Sequence, residues 1–510
     1  MSDNVVIGVD VSTTAVKAIA WNGAGAAIAE ARRPLPLDRP GTGRYEQNAE
    51  TWWIALCDCL KDLAGRLTPG SVAALAIAHQ RETFVTLDAS GKPSLPALLW
   101  LDARAEQEVA DLRETMSDRR YRAITGKTPN YGPALFKLAW VGRHAPDSLR
   151  RAAAIADVQS FLVARLCGEF VTSRSSADPL GLFDLQRQAW DEGLCGWAGI
   201  EARQLPRVEP PGTLVGTLDA AAAEATDLPE ATPVVLAGGD GQTGGLGINA
   251  TSPQRTYLNL GTAVVAGIYS DEPLHDPAWR TLCAGGSRGY YLESSLRSGA
   301  LLSDWFLQSI CNIVPERDPD ALKRLERDAE SLPPGANGLL LLPYWEGVMN
   351  PHWDEQARGC VLGLATSHDR AALYRALIEG VAMEQALFLD AAARSGAERP
   401  RELAAVGGLS ASDLWCQLTA DVTGIPVARS PSAEAASLGA AMCAAAGVGW
   451  FESPEAAADA MSAAATDAFQ PDAQAHGRYR DLTAIYGRLY GTIRDLQHEL
   501  GRFRDQATAS

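Results

Sequence analysis

Val5-Val6-Ile7-Gly8-Val9-Asp10-Val11-Ser12-Thr13-Thr14-Ala15-Val16-Lys17-Ala18-Ile19-Ala20-Trp21 opens on an apolar run, passes through a hydroxyl-rich turn and returns as a second apolar run. Val5 to Val9 reads as a buried strand and Ala15 to Trp21 as its return, with Asp10 at the mouth of the turn. Asn22-Gly23 is a hairpin signal, so Ala26 to Ala31 is expected as a third strand. The same device recurs. Thr256 to Leu260 is a strand that ends in Gly261-Thr262-Ala263, and Val264 to Tyr269 is its return. This internal duplication places a boundary near residue 250 and divides the chain into two α/β domains, 1–249 and 250–510.

Between these openings, Thr51 to Leu67 carries Trp52, Leu56, Leu60, Leu63 and Leu67 at helical spacing. Val72 to Ala78 is a strand that delivers His79-Gln80-Arg81-Glu82 at its end, and Leu98 to Leu101 is a short strand ending in Asp102. Asp369 to Ala393 is a long helix, and Asp413 to Thr423 a shorter one closed by Gly424. Glu434 to Ala446 is alanine-rich and suited to close packing.

The chain has 510 residues, 46% of them hydrophobic, and a net charge of -17. That charge argues against nucleic acid as a partner, because phosphate backbones need a cationic surface. It leaves nucleotides open, since backbone dipoles and magnesium neutralise a site locally. Nine scattered cysteines without a Cys-x-x-Cys pair suggest neither a disulfide framework nor a zinc site. Met1-Ser2-Asp3-Asn4 lacks the features of a signal peptide, and the Gly439 to Phe451 stretch is too short for a bilayer. A cytoplasmic protein with no membrane partner is expected.

The residues with chemistry to offer sit at strand ends. Pro233-Val234-Val235-Leu236 leads into Ala237-Gly238-Gly239-Asp240-Gly241-Gln242-Thr243-Gly244-Gly245, a single carboxylate wrapped in glycine. A carboxylate held there is placed to take a proton from a small substrate, and the glycines permit close approach. At the first turn, Ser12, Thr13 and Thr14 offer donors to phosphate oxygens while Asp10 reaches a metal. Such residues also make ordinary capped turns. Lys17 adds a positive charge if it points inward. Gly261-Thr262 repeats the turn, and two such turns facing each other would clamp a polyphosphate between domains. No Gly-x-x-x-x-Gly-Lys-Ser/Thr is present, so the chain is not a P-loop protein. Gly239-x-Gly241-x-x-Gly244 formally matches a dinucleotide fingerprint, but no acidic residue follows about 20 positions on to hold a ribose. Arg81-Glu82 reads either as a surface ion pair or as a donor and acceptor for neighbouring hydroxyls. Gly407-Gly408-Leu409-Ser410-Ala411-Ser412-Asp413 is either a loop with a serine N-cap or a glycine platform under an adenine, with Ser412 nearby.

Taken together, these motifs resemble the FGGY family of carbohydrate kinases, which includes xylulokinase and glycerol kinase. The resemblance runs through Gly8 to Thr14, Lys137-Leu138-x-Trp140, Gly238-Gly239-Asp240 and Leu260-Gly261-Thr262, then from Gly407-Gly408 to Leu438-Gly439-Ala440-Ala441. It implies an actin-like ATPase fold of two ribonuclease-H-like domains with ATP in the cleft. It also implies transfer of the γ-phosphate to a sugar or polyol hydroxyl. By the resemblance Asp240 is the catalytic base, and Asp10, with Asp240, serves Mg2+. Thr13, Thr14 and Thr262 approach phosphates, and Gly408 and Ser412 approach the adenosine. Arg81 and Glu82 lie at the acceptor, with Tyr131 and Gln242 as candidates for the same pocket. A homodimer is a family-level expectation. Gln80-Arg81-Glu82 is similar to glycerol kinase, whereas Tyr45-Glu46-Gln47, Trp52-Trp53 and Gly238 to Gly241 look more like xylulokinase. The implied acceptor is a ketopentose such as D-xylulose, with glycerol or a tetritol as the alternative. An ATP-driven switch on the same fold is the alternative of another class.

Overall fold

The computed structural model describes residues 4–431, 434–465 and 467–508. Strand β1 (Val5–Val11) is almost wholly buried, as its unbroken apolar run requires of a central strand. It pairs antiparallel with β2 (Ala15–Trp21), which pairs antiparallel with β3 (Ala27–Pro34). On its other side it pairs parallel with β4 (Val72–His79). With β5 (Leu214–Thr217) and β6 (Pro233–Gly239) these form a six-stranded sheet in the order β5-β6-β4-β1-β2-β3. Register brings the ends of the parallel strands level: Val11 and Gly239 both lie opposite His79. The residues that follow β1, β4 and β6 therefore emerge together, at the carboxyl edge where open α/β sheets bind ligands.

The second half repeats the plan. Strands β7 (Arg255–Leu260), β8 (Val264–Ser270), β9 (Arg280–Cys283), β10 (Tyr290–Leu296), β11 (Glu402–Val406), β12 (Val427–Arg429) and β13 (Asp467–Phe469) form a seven-stranded sheet in the order β9-β10-β8-β7-β11-β12-β13. Here β7 corresponds to β1. It has an antiparallel hairpin on one side and parallel strands on the other. The duplication read from two strand–turn–strand openings thus extends through the topology of both sheets.

Helix α1 (Asp240–Gly247) follows β6 directly. The long helix α2 (Arg370–Arg394) and α3 (Asp413–Thr423) lie in the second half, and Gly424 closes α3 in the left-handed conformation at φ 69. Helix α4 (Ala435–Gly447) leaves the second sheet and docks on the first. Leu438, Ala441 and Ala445 pack with Val6, Ala76, Val235 and Leu246. The contact is backbone to backbone. A Cβ on Gly8 would lie 1.9 Å from the Ser437 carbonyl oxygen, and one on Gly439 would lie 1.9 Å from that of Thr243. The Ser437 hydroxyl donates to the Gly8 carbonyl at 2.8 Å and accepts from Trp21 Nε1 at 3.1 Å. The position near residue 250 therefore separates the two sheets, while α4 ties the second half to the first.

Gly8→Ala is expected to destabilise the protein by about 1–3 kcal/mol or more, the range for overpacking a tight core. Denaturant unfolding checks this, and an unchanged midpoint would mean that α4 is not seated as described.

One short strand departs from expectation. Only Ala97–Leu98 pairs in a sheet, because Asp102 N–H bonds back to the Leu99 carbonyl at 3.0 Å and closes a turn. All nine cysteines are free thiols, most of them buried. Among the described residues, no helix is long and apolar enough to cross a membrane.

Candidate active site

Asp10 is the one partly exposed residue of β1, between buried Val9 and Val11, and one of its carboxylate oxygens has neither solvent nor a hydrogen-bond partner among the described residues. Burial, then the charges of Asp240 and Glu434, push its carboxyl up to about 7 against the opposing pull of Lys17. Lys17 stands beside Asp10 across the hairpin, but its ammonium meets Glu434 at 2.5 Å. Its charge is thus paired with an anion that the second half supplies.

The hydroxyl turn divides its labour. Ser12 Oγ bonds to the carbonyl and accepts from the amide of Ala15, which closes the turn locally. Thr13 Oγ1 donates to Gln80 Oε1 at 3.1 Å and accepts from Trp100 Nε1 at 3.0 Å, so it looks towards the end of β4. Thr14 is exposed. In the matching turn of the second half, the Gly261 and Thr262 carbonyls accept from Ala300 and Gly299, and the Thr262 side chain is exposed.

Asp240 opens α1 with its side chain 39% exposed. Its Oδ1 accepts from the Gly241 amide at 2.8 Å and meets Arg81 Nε at 3.2 Å. The flanking glycines have a specific cause. A Cβ on Gly239 would lie 2.6 Å from Arg81 Cγ, and one on Gly241 would lie 2.9 Å from Arg81 Cζ. They make room for Arg81 to lie across the turn. Gln242 stands two residues further along α1, about 200° around the helix. Its amide is fully buried and donates from Nε2 to the Ser175 carbonyl at 2.9 Å, while its Oε1 lies by Gly239, on the same side as Arg81 Cγ.

Arg81 and Glu82 are not a surface pair. Glu82 is buried and sits at φ 61, a left-handed conformation uncommon for a glutamate. Its Oε1 accepts from Arg280 Nη1 at 2.8 Å, and Arg81 Nη1 reaches Glu293 Oε2 at 2.9 Å. Glu293 has no solvent exposure and also accepts from Arg280 Nε at 2.8 Å and from the Tyr257 hydroxyl at 2.6 Å. Burial alone would raise its carboxyl; the two arginines and Tyr257 overcome that and draw it down to about 2. The result is an unbroken alternation of charge, Asp240–Arg81–Glu293–Arg280–Glu82, in which the second half supplies Arg280 and Glu293.

Tyr131 lies 5.6 Å beneath the Arg297 guanidinium. Its loop is held by Lys137, a buried lysine that donates to the Tyr131 and Gly132 carbonyls. Burial lowers that ammonium to about 8. Gly407 adopts φ 92 and packs its backbone against Leu260, while no atom lies within 4 Å of where a Cβ on Gly408 would be. Ser412 caps α3 by accepting from the Trp415 amide and also donates to Glu326 at 2.6 Å. A cavity of about 300 Å³ joins Asp240 and Arg81 to Gly407, past Gly244, Tyr257 and Asn259.

Magnesium fits this site. Asp10 has a buried, unpartnered oxygen among like charges, and the nearest lysine is engaged elsewhere. No cluster of three or more ligands is preformed among the described residues. None is required, since magnesium is usually held by one or two carboxylates together with water and phosphate.

Sequence reading missed Glu434, Glu293, Arg280, Tyr257 and Asn259. Glu293 left one trace, as the single charged residue inside the strand Tyr290–Leu296.

Paired sheets, a cleft between them, a turn from each half and an open strand-end carboxylate define the class: a two-domain phosphotransferase. Residues 5–247 match the FGGY family of carbohydrate kinases, N-terminal domain, and residues 256–448 match its C-terminal domain. The chain is 29% identical over 503 residues to a xylulose kinase of Bacillus subtilis, covering 98% of this chain and 99% of that protein. It is 30% identical over 512 residues to an autoinducer-2 kinase of Escherichia coli, covering 95% and 94%. The crystal structure of a xylulose kinase from Rhodospirillum rubrum aligns with a TM-score of 0.89 at 26% identity, covering 97% and 100%. The chain therefore belongs to the FGGY family of carbohydrate kinases and has its two-domain, actin-like ATPase fold.

Proposed function

We propose that the protein transfers the γ-phosphate of ATP to a terminal hydroxyl of a neutral ketopentose such as D-xylulose. The observation that carries this reading is the Asp240 carboxylate, one oxygen of which is held by Gly241 and Arg81 while the side chain remains open to the cleft. Support comes from the xylulose kinases among the relatives and aligned structures.

In this reading Asp240 orients the acceptor hydroxyl and takes its proton late, since phosphoryl transfer is largely dissociative. Asp10, with Asp240, would hold magnesium, which neutralises charge on the phosphates. Thr14 and Thr262 present hydroxyls to the phosphates from the two sides of the cleft. Gly407 and Gly408 offer a flat surface to the adenosine, the open space at Gly408 being suited to it. Arg81 and Glu82 grip acceptor hydroxyls, and the buried alternation of charge keeps both fixed. A glycerol or tetritol acceptor is the second reading, favoured by that arginine and glutamate. A sugar acid is disfavoured, because its carboxylate would meet Asp240 and Glu82, while the charges of Arg81 and Arg280 are already matched by buried Glu293.

Measuring ADP release with D-xylulose, ribulose, glycerol, erythritol and gluconate tests the proposal. The expected result is a kcat/KM for D-xylulose about tenfold or more above the others, a gap that a few well-placed hydroxyl contacts supply. Gluconate is expected to rank last. A preference for glycerol or erythritol would transfer the site to polyols. Equal ADP release with and without every acceptor would favour a nucleotide-driven switch.

A further inference from the structure

We infer that Glu293, from the second half of the chain, is a positioning residue for the acceptor site: it holds Arg81 off the open face of Asp240 and, through Arg280, fixes Glu82. The inference rests on the kinase reading of Asp240 and adds a residue from the opposite domain to it.

Arg81 lies between two carboxylates. It approaches Asp240 through Nε, at 3.2 Å, and hydrogen-bonds Glu293 through Nη1, at 3.1 and 2.9 Å to its two oxygens. Glu293 is wholly buried and Asp240 is 39% exposed, so the stronger anchor is the buried one, where the local dielectric is low. That division keeps the guanidinium from turning both of its donor edges onto Asp240. A two-pronged Arg81–Asp240 pair would occupy the oxygen that an acceptor hydroxyl needs. The same carboxylate orients Arg280, which contacts it at 2.8 Å through Nε and at 2.6 Å through Nη2. Arg280 is thereby left with Nη1 directed at Glu82 Oε1, at 2.8 Å. Glu82 then keeps Oε2 towards Gly132, where a Cβ would come within 3.2 Å of it; the absent side chain leaves room beside that oxygen. One buried carboxylate thus sets the orientation of the base's neighbour and of the second acceptor contact. Both settings depend on β9 and β10 of the second half meeting the end of β4 of the first.

Glu293→Gln tests this while keeping the shape of the residue. Using the acceptor that wild type phosphorylates best, the acceptor KM is expected to rise and kcat to fall. The combined decrease in kcat/KM is about tenfold or more, the scale of removing one charged hydrogen bond from a closed site. The KM for ATP and the calorimetric affinity for ADP are expected to stay within about twofold, since neither residue is assigned to the nucleotide. If Glu293 acts through Arg81, the substitution adds less in an Arg81→Gln background than in wild type, the remainder being its route through Arg280 to Glu82. Effects that multiply in the double variant would overturn the inference, as would wild-type acceptor kinetics in Glu293→Gln. Glu293→Asp, which keeps the charge but withdraws it by one methylene, serves if the glutamine variant fails to fold, with the same expected split between acceptor and ADP. A crystal structure of whichever variant folds reads the inference without any acceptor. Arg81 is expected to turn both edges onto Asp240, and Arg81 remaining in place would sink the proposal even if the enzyme phosphorylates D-xylulose. A wild type that phosphorylates no acceptor would instead fail the substrate reading, and the position of Arg81 in the variant would still decide the role of Glu293.

Discussion

Asp240→Asn is expected to lower turnover by about 10²- to 10⁴-fold, the usual contribution of a general base, while ADP and acceptor still bind. The substitution keeps the shape and removes the charge and the capacity to accept a proton. Position limits the structural damage. Asp240 is 39% exposed, and Oδ1 makes only a short-range bond to the Gly241 amide and one contact with Arg81. An asparagine oxygen can accept both, so α1 and the glycine turn should persist. A loose transition state, in which the hydroxyl proton moves late, places the loss towards the lower end of that range. Removing the charge also relieves Asp10 of a like neighbour but takes one carboxylate from magnesium, so ADP is expected to bind still, with its magnesium dependence weakened. A coupled ADP assay reports the rate and calorimetry the binding. Retention of more than about a tenth of wild-type turnover, well short of the effect of deleting a base, would take Asp240 out of the mechanism.

The frame of the molecule was legible in the sequence because it depends on short-range pattern. The runs of β1 and β2, the Asn22-Gly23 turn and the repeat at β7 and β8 each announce themselves within ten or so residues. Helix α3, from Asp413 to Thr423 with Gly424 closing it, was legible for the same reason. What could not be read was pairing across the chain. Lys17 reads as a positive charge for the site if it points inward, and the partner it meets, Glu434, lies 417 residues away. Arg81 and Glu82 were read together, as neighbours, but each is held by a different residue of the second half. The glycines around Asp240 signalled a close approach correctly, while the group that approaches is Arg81. Gln242 follows Asp240 closely in sequence, and the turn of α1 buries its amide against the Ser175 carbonyl, a partner 67 residues away. Ser412 offered a cap and a ligand contact equally, and the fold uses it as a cap bonded to Glu326.

Asp10→Asn is expected to make the ligand-free protein more stable at neutral and alkaline pH, while weakening magnesium–nucleotide binding about tenfold to a hundredfold, the scale of one charge-assisted interaction. The sign follows from its environment. Burial, with Asp240 and Glu434 nearby, lifts the Asp10 carboxyl from an ordinary 3.8 to about 7. Between those values the folded state holds a proton that the unfolded chain has released, so stability falls as pH rises through this window and levels off above it. Asparagine carries no such penalty. The stability advantage of the variant should therefore be small near pH 4, grow towards pH 7 and stay constant beyond. Ligand-free thermal unfolding across that range measures it. The same linkage governs binding. A cation at Asp10 must displace the proton, so wild-type affinity for magnesium–ADP should increase from about pH 6 to pH 8, whereas that of the asparagine variant should be flat. Calorimetry in two buffers of different ionisation enthalpy would show proton release from the wild type alone. If the variant is no more stable at about pH 8 and binds magnesium–ADP as tightly as wild type, Asp10 is a buried structural acid and the cation lies elsewhere.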